Sequence, residues 1–219
     1  MNDHKVILKV LVGSQAHGLA NADSDYDYRS VYVVPTAKIL SLGSGPKTTH
    51  WLEGEQDDTQ WELGHFLNLA SKCNPTILET FLAPIIEITE EGQMVRDLFP
   101  HVWNTQGVTN AFIGYGQNQR KKFLEEKDGR PHKFAAAYLR SLYNGQELLR
   151  TGSFTVRIAD TDIGSTVRRF KEGNCSFGEV IDVCRHWENV VRDASVNCNK
   201  DTDIDKMNEV LLKIRKMHL

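Results

Sequence analysis

The chain lacks any closely spaced pair of cysteines. Its four, Cys73, Cys175, Cys184 and Cys198, are scattered through 219 residues. That pattern supports neither the disulfide framework of a small secreted domain nor a zinc knuckle. Free thiols in a reducing cytoplasm are the expectation. An excess of positive charge is also missing: 26 Lys and Arg stand against 29 Asp and Glu, a net charge of −3. No basic coat is available, so any contact with nucleic acid must use a local patch. No apolar run is long enough to cross a bilayer, and no membrane partner is expected. The opening MNDHKVILKVLVGS starts with charge but has no long apolar core and no small-residue cleavage site. It reads as a first strand rather than a signal peptide, and a cytoplasmic location is expected. Internal repeats and low-complexity tracts are absent too.

What is there is ordinary in bulk, with 40% hydrophobic and 25% charged residues, and uneven along the chain. The first third is rich in strand signals. Residues 5–12, KVILKVLV, are apolar and β-branched enough for a buried strand, which Gly13-Ser14 ends. A second strand is expected at 26–34, YDYRSVYVV, closed by Pro35. A less regular stretch follows over 36–56, then a short third strand from Asp57 to Trp61. WELGHFLNLASKC reads as a helix with Leu63, Phe66, Leu67 and Ala70 on one face. Asn74-Pro75 breaks it and PTILETFL begins another. Beyond, helices are expected at 109–127, 131–150, 177–195 and 203–217, with a short strand FTVRI at 154–158. Ser176 with Glu179 three residues on reads as a capping box. The composition shift near 100–108 divides the chain into residues 1–105, an α/β half, and residues 106–219, a mainly helical half.

Three features of the first third carry chemistry. Gly13-Ser14 follows a buried strand directly, where a glycine lets backbone approach a ligand and the serine adds a hydroxyl donor. If a helix starts there, its free N–H groups favour an anion such as a triphosphate. Asp25 and Asp27 stand two apart, so at strand spacing they share a face. Adjacent carboxylates repel unless one is protonated or a cation offsets them. Hard oxygen ligands of this kind suit magnesium, with manganese as its substitute. Arg29 continues the same face and is placed to touch a phosphate or pair with an aspartate. Asp57-Asp58 heads the third strand, and strand alternation lets only one of the two point inward with ease. That carboxylate would complete a two-metal site, one metal gripping the triphosphate and the other activating an acceptor hydroxyl.

The order of strand, Gly-Ser, Asp-x-Asp strand and third carboxylate resembles the DNA polymerase beta nucleotidyltransferase superfamily. GSQAHGLANADSDYDYRSVYV is similar to a group of predicted nucleotidyltransferases that includes RNA-repair-associated bacterial members and phage-encoded relatives. FLNLASKCNPTILETFLAP and KFAAAYLRSLYNGQELLRTGSFTV extend the resemblance into both halves. It implies an α/β (α+β) nucleotidyltransferase fold: a short mixed β-sheet with flanking helices, then a mainly α-helical C-terminal region. It implies transfer of a nucleotide from an NTP to a hydroxyl acceptor at an RNA or DNA end. Position by position, Gly13 and Ser14 fall on the phosphate-binding turn, and Asp25 and Asp27 on the metal pair. Asp57 is favoured as the third ligand because it stands five residues before Glu62, read as helical; Asp58 is the alternative.

Other residues have plainer readings. Arg29 is as much a salt-bridge partner of Asp25 or Asp27 as a substrate ligand. His17, inside the Gly-Ser turn region, has two readings, a contact to the nucleotide or the commoner local packing, and His65 is expected to be structural or on the surface. The run Arg120-Lys121-Lys122 is expected on a solvated helix face. Lys133 and Arg140, seven apart, share a face, and with Arg130 and His132 nearby that face is a candidate for holding the triphosphate or an acceptor backbone. Trp51, Trp61, Trp103 and Trp187 are expected in or beside the core. Two rival functions stand: nucleotidyl transfer to a protein side chain, and a catalytically idle nucleotide-binding regulatory module. Availability of both Asp57 and Asp58 argues against the idle module. No feature fixes an oligomeric state.

Overall fold

The apolar run of Lys5–Val12 forms strand β1, the second strand in from one edge of a five-stranded sheet. A computed structural model describes residues 4–43, 47–52 and 57–219; the first three residues of the opening segment lie outside them. β2 is Asp27–Val33, β3 Thr49–Leu52, β4 Asp57–Glu62 and β5 Ile85–Ile88. Their spatial order is β3-β4-β2-β1-β5. β1 runs antiparallel to both β2 and β5, β2 and β4 are parallel, and β3 and β4 are antiparallel. The mixed sheet with flanking helices and a mostly helical remainder is the expected fold class.

Burial on the sheet follows residue type. Leu8, Val10, Val31, Val33 and Trp61 are buried, and helix α3 (Leu63–Ser71) packs on β2 and β4 through Leu63, Phe66, Leu67 and Ala70. Glu62 is not helical. It is the last residue of β4 and caps α3, its carboxylate accepting from Gly64 N at 2.7 Å. Asn74 caps α4 (Pro75–Leu82), accepting from Thr76 N and Ile77 N. The 36–56 stretch has more structure than its composition promised. It holds helix α2 (Thr36–Leu40) and β3, while residues 44–46 and 53–56 lie outside the described residues. One turn, α1 (Gly13–Ala16), follows β1, and α5 (Glu90–Arg96) follows β5.

The helical part comprises α6 (Thr105–Leu124), α7 (Pro131–Thr151), α8 (Gly164–Lys171), α9 (Phe177–Val196) and α10 (Ile204–Met217). α6 begins four residues earlier than expected, because the Asn104 side chain accepts from Gly107 N at 2.7 Å and caps it there. α7 ends at Gly152, whose φ of +81° turns the chain out of the helix. Ser176 caps α9 as expected, accepting from Glu179 N at 3.1 Å. FTVRI is not a strand. Phe154, Val156 and Ile158 are buried, but no strand pairs with them, and the Glu147 carboxylate accepts from the Thr155 N–H and hydroxyl instead. Their alternation records burial under helices, with a 3-10 turn at Ile158–Asp160.

A continuous apolar core runs from Ile7 in β1 to Ile214 in α10. The far end of α10 returns to the first half. Arg215 donates to Glu62 at 2.6 Å, Thr36 donates to the carbonyls of Arg215 and His218, and His218 reaches Glu91. Trp61 and Trp103 are buried and Trp187 packs against the core, whereas Trp51 on edge strand β3 is 63% exposed. All four cysteines are free thiols. Among the described residues, no helix is long and apolar enough to cross a membrane.

Candidate active site

Strand register builds the acidic side of the site. Asp27 opens β2, opposite Val12 at the end of β1 on one side and Asp57 at the start of β4 on the other. The two carboxylate-bearing residues are therefore directly paired neighbours at one end of the sheet. Asp25 precedes β2 on an exposed stretch and adds its charge to the same end. Gly13 sits against this pair. A Cβ built on it would come within 2.1 Å of Asp27 Oδ2, and its φ of +67° already favours glycine. Burial pushes the Asp27 carboxyl up from its ordinary value; Lys133 pulls it down, and Asp57 and Asp25 push it up.

Alternation separates Asp57 from Asp58. Asp58 pairs in register with Tyr28 and is buried, accepting from Ser30 Oγ and Gln60 Nε2 at 2.9 Å each, with Lys9 at 3.9 Å. It belongs to the opposite face of the sheet from Asp27. Among the described residues, no three His, Cys, Asp or Glu side chains form a ready-made metal cluster. Magnesium does not require one, since it is held by one or two carboxylates and completes its shell with water and phosphate oxygens. Asp27 and Asp57, paired in register, with Asp25 just ahead of the strand, are hard-oxygen donors whose chemistry fits such an ion.

Beside Asp27 opens a cleft of about 290 Å³, lined by Gly13 and Ser14 and by residues of the helical half. α1 is a single turn, too short to gather much of a helix dipole. Positive charge comes instead from side chains: Arg29, Lys122, Lys133, Arg140 and Lys171 all line the cleft, against one acid, Asp27. Lys133 and Arg140 thus meet on one face as their spacing implied. Of the basic run, Lys121 is exposed and near Glu125, while Lys122 turns into the cleft. Arg130 is exposed, and His132 packs by Gly173.

Sequence reasoning missed two residues that organise this wall. Glu79 is buried on α4 and gathers three partners: Arg29 Nη1, Arg140 Nη1 at 2.9 Å and His17 Nε2 at 2.6 Å. Arg29 also donates to the Thr76 carbonyl at 3.0 Å. Its ion-pair partner is therefore Glu79 rather than Asp25 or Asp27, and its guanidinium is fixed at the cleft edge. Burial pushes Glu79 up, but Arg140, Arg29 and His17 together hold its carboxyl well below the usual carboxylate range. Burial and then Arg140 lower His17, against Glu79, and its Nε2 is taken up by Glu79 where the ring lines the cleft. The signal for Glu79 was present: a lone acid among Ile77, Leu78 and Phe81 on a buried face. Lys171 is the second. Its ammonium donates to Ser14 Oγ at 2.9 Å and to the Leu19 carbonyl at 2.6 Å, pinning α8 to the Gly-Ser turn. Burial lowers its pKa, and Lys133 and Arg168 lower it further. Nothing in the two-turn segment GSTVRRFK announced that role.

This geometry has relatives. The family model described as RNA repair pathway DNA polymerase beta family, RlaP, matches residues 1–168. The chain belongs to the RlaP family. The RlaP match takes in the whole sheet and most of the cleft, and ends inside α8. The uncharacterized protein YcgL of Bacillus subtilis (strain 168) is 26% identical over 133 residues, which are 59% of this chain and 51% of that protein. The chain thus spans about half the length of the curated relative it matches. A nucleotidyltransferase-like protein from Exiguobacterium sibiricum 255-15, known from a crystal structure, aligns over 97% of this chain and 74% of its own, with 10% identity and a TM-score of 0.34. RlaP membership places the chain in a family of polymerase beta type.

Proposed function

We propose that the protein transfers a nucleotide from a nucleoside triphosphate to a hydroxyl at a nucleic-acid end, an RNA end in the first instance, with release of pyrophosphate. The observation that carries this reading is the meeting of the Asp27–Asp57 strand pair with a cation-lined cleft. Five basic side chains and one acid line that cleft, and Glu79 behind the two arginines leaves a net of three positive charges for a polyphosphate. The RNA acceptor follows the family's description, RNA repair pathway.

Asp25, Asp27 and Asp57 would hold magnesium, or manganese in its place. The ion would supply charge neutralisation at the triphosphate and a more acidic acceptor hydroxyl. Lys133, Lys171 and Ser14 take the phosphate oxygens, and Lys122 and the two Glu79-anchored arginines offset charge on the departing pyrophosphate. The acceptor oxygen forms its bond to the α-phosphorus as the bond to the β-bridging oxygen breaks. Asp57 is assigned the hydroxyl proton. Gly13 lets the polyphosphate lie close against the backbone.

The test is incubation of each labelled NTP with RNA, DNA and protein acceptors in magnesium or manganese. Label on an RNA end is expected, and label on protein alone replaces this reading by its protein-modifying rival. The double variant Asp25→Ala with Asp27→Ala is expected to keep its circular dichroism and lose incorporation. Full incorporation by that variant would sink the mechanism. NTP binding by calorimetry without turnover on any acceptor would leave the idle nucleotide-binding module standing.

A further inference from the structure

The wall of the cleft supplied by α6 and α7 carries more than cations. Gln119 on α6 lines it, yet only 4% of the residue is exposed. Its carboxamide has no hydrogen-bond partner among the described residues. A carboxamide brings two donors and an acceptor, and those of Gln119 are not among the sealed, unpartnered polar atoms, so they open onto the cleft, where a ligand can take them up. Tyr115, one turn earlier on α6, lines the same wall, and Phe134 of α7 lines it with Lys122 placed 5.6 Å over its ring.

Phosphate does not call for aromatic walls and a neutral amide. A nucleobase does: it offers a flat face for an aromatic side chain and an edge carrying donors beside acceptors. We infer that Gln119, which lines the cleft together with Tyr115 and Phe134, reads the base edge of the donor nucleoside triphosphate. The inference rests on the proposed function, which puts the triphosphate in this cleft. The two parts of the donor are then divided between the two parts of the wall: Lys133, Lys171 and Ser14 hold phosphates, and the α6–α7 aromatic patch with Gln119 takes the base.

ATP, GTP, CTP, UTP and inorganic tripolyphosphate, each titrated by calorimetry with magnesium into the full chain and into Gln119→Leu, separate the two parts. The unaltered protein is expected to prefer one base. Gln119→Leu is expected to weaken the preferred NTP about tenfold or more, bring the four NTPs close together and leave tripolyphosphate unchanged. Its melting temperature should not fall, because the group removed had no partner in the protein. Gln119→Glu, which keeps the size and presents acceptors in place of the amide donors, is expected to shift preference away from uracil, the one base without an exocyclic amino group. Equal affinity of the unaltered protein for all four NTPs, or unchanged selectivity in both variants, overturns the base subsite while tripolyphosphate binding keeps the phosphate site. Failure of tripolyphosphate and all four NTPs to bind overturns both.

Discussion

Gly13 carries two constraints at once, a left-handed backbone and a carboxylate packed where a Cβ would stand, 2.1 Å from Asp27 Oδ2. Gly13→Ala therefore strains the turn by roughly 1–2 kcal/mol and displaces Asp27. A misplaced catalytic group costs on the order of a hundredfold in rate, so nucleotide incorporation should fall by about that factor while circular dichroism stays near normal. Glu79 is the other decisive residue. It sits where one buried acid serves two arginines and a histidine, and its removal strands those cations. Glu79→Gln is expected to cost about 3–5 kcal/mol, measured by urea unfolding, and to weaken tripolyphosphate binding by loosening Arg29 and Arg140. The same network sets the acid response. His17 and Glu79 both have folded pKa values lowered from their ordinary 6.5 and 4.5. In each case the unfolded chain takes up the proton first, so stability rises with pH. Their contribution is full above pH 6.5 and begins to fall below it, where the unfolded chain's histidine takes up a proton that the folded His17 does not. A further loss sets in below 4.5 as Glu79 is titrated. Melting temperatures from neutral pH downward should show this two-stage decline, with the second stage reduced in Glu79→Gln to what other paired carboxylates such as Glu91 contribute.

Elements decide whether those residues arrive in place. α4 carries Glu79, and its first turn is closed by Asn74, which accepts from Thr76 N at 3.0 Å and Ile77 N at 3.4 Å. Asn74→Ala is expected to cost about 1 kcal/mol in thermal unfolding, with a smaller loss of NTP affinity than Glu79→Gln because the helix frays only at its start. The same Asn-Pro signal was legible in the sequence, since capping is local chemistry. FTVRI shows the opposite case. Alternating burial of Phe154, Val156 and Ile158 is a strand pattern in one dimension, but strand formation needs a partner edge, and Glu147 satisfies Thr155 instead. α8 was invisible for a related reason. Two turns with three basic residues carry little periodic signal, and the value of Lys171 lies entirely in a contact with Ser14, 157 residues away.

At the scale of the whole molecule, α10 closes the fold back on its beginning. Arg215 meets the buried Glu62 at 2.6 Å, where Glu62 also caps α3, and the last turn of α10 binds Thr36 and Glu91. Arg215→Ala leaves the Glu62 carboxylate with the Gly64 N–H alone among these partners. It should cost about 3 kcal/mol by urea unfolding, and it should leave the cleft's affinity for tripolyphosphate nearly intact, because none of the cleft's cations is touched.

The sequence by itself determined the strand–turn–strand core of the site. Gly13-Ser14, Asp25 and Asp27 are close in the chain, although β2 begins only at Asp27, so alternation within the strand does not reach Asp25. It also determined the amphipathic helices of the second half and the pairing of Lys133 with Arg140 on one of them. Tertiary structure alone decided which of Asp57 and Asp58 faces Asp27, because that depends on the register of the parallel β2–β4 pair, set by contacts across 30 residues. It alone brought Lys122, Lys171, Gln119 and Glu79 to the cleft. Each of these reads locally as an ordinary helix residue. A residue becomes part of a site through what stands opposite it, and packing the helical half against the sheet's end supplies that for Lys122, Lys171 and Gln119 and adds Arg140 to the partners of Glu79.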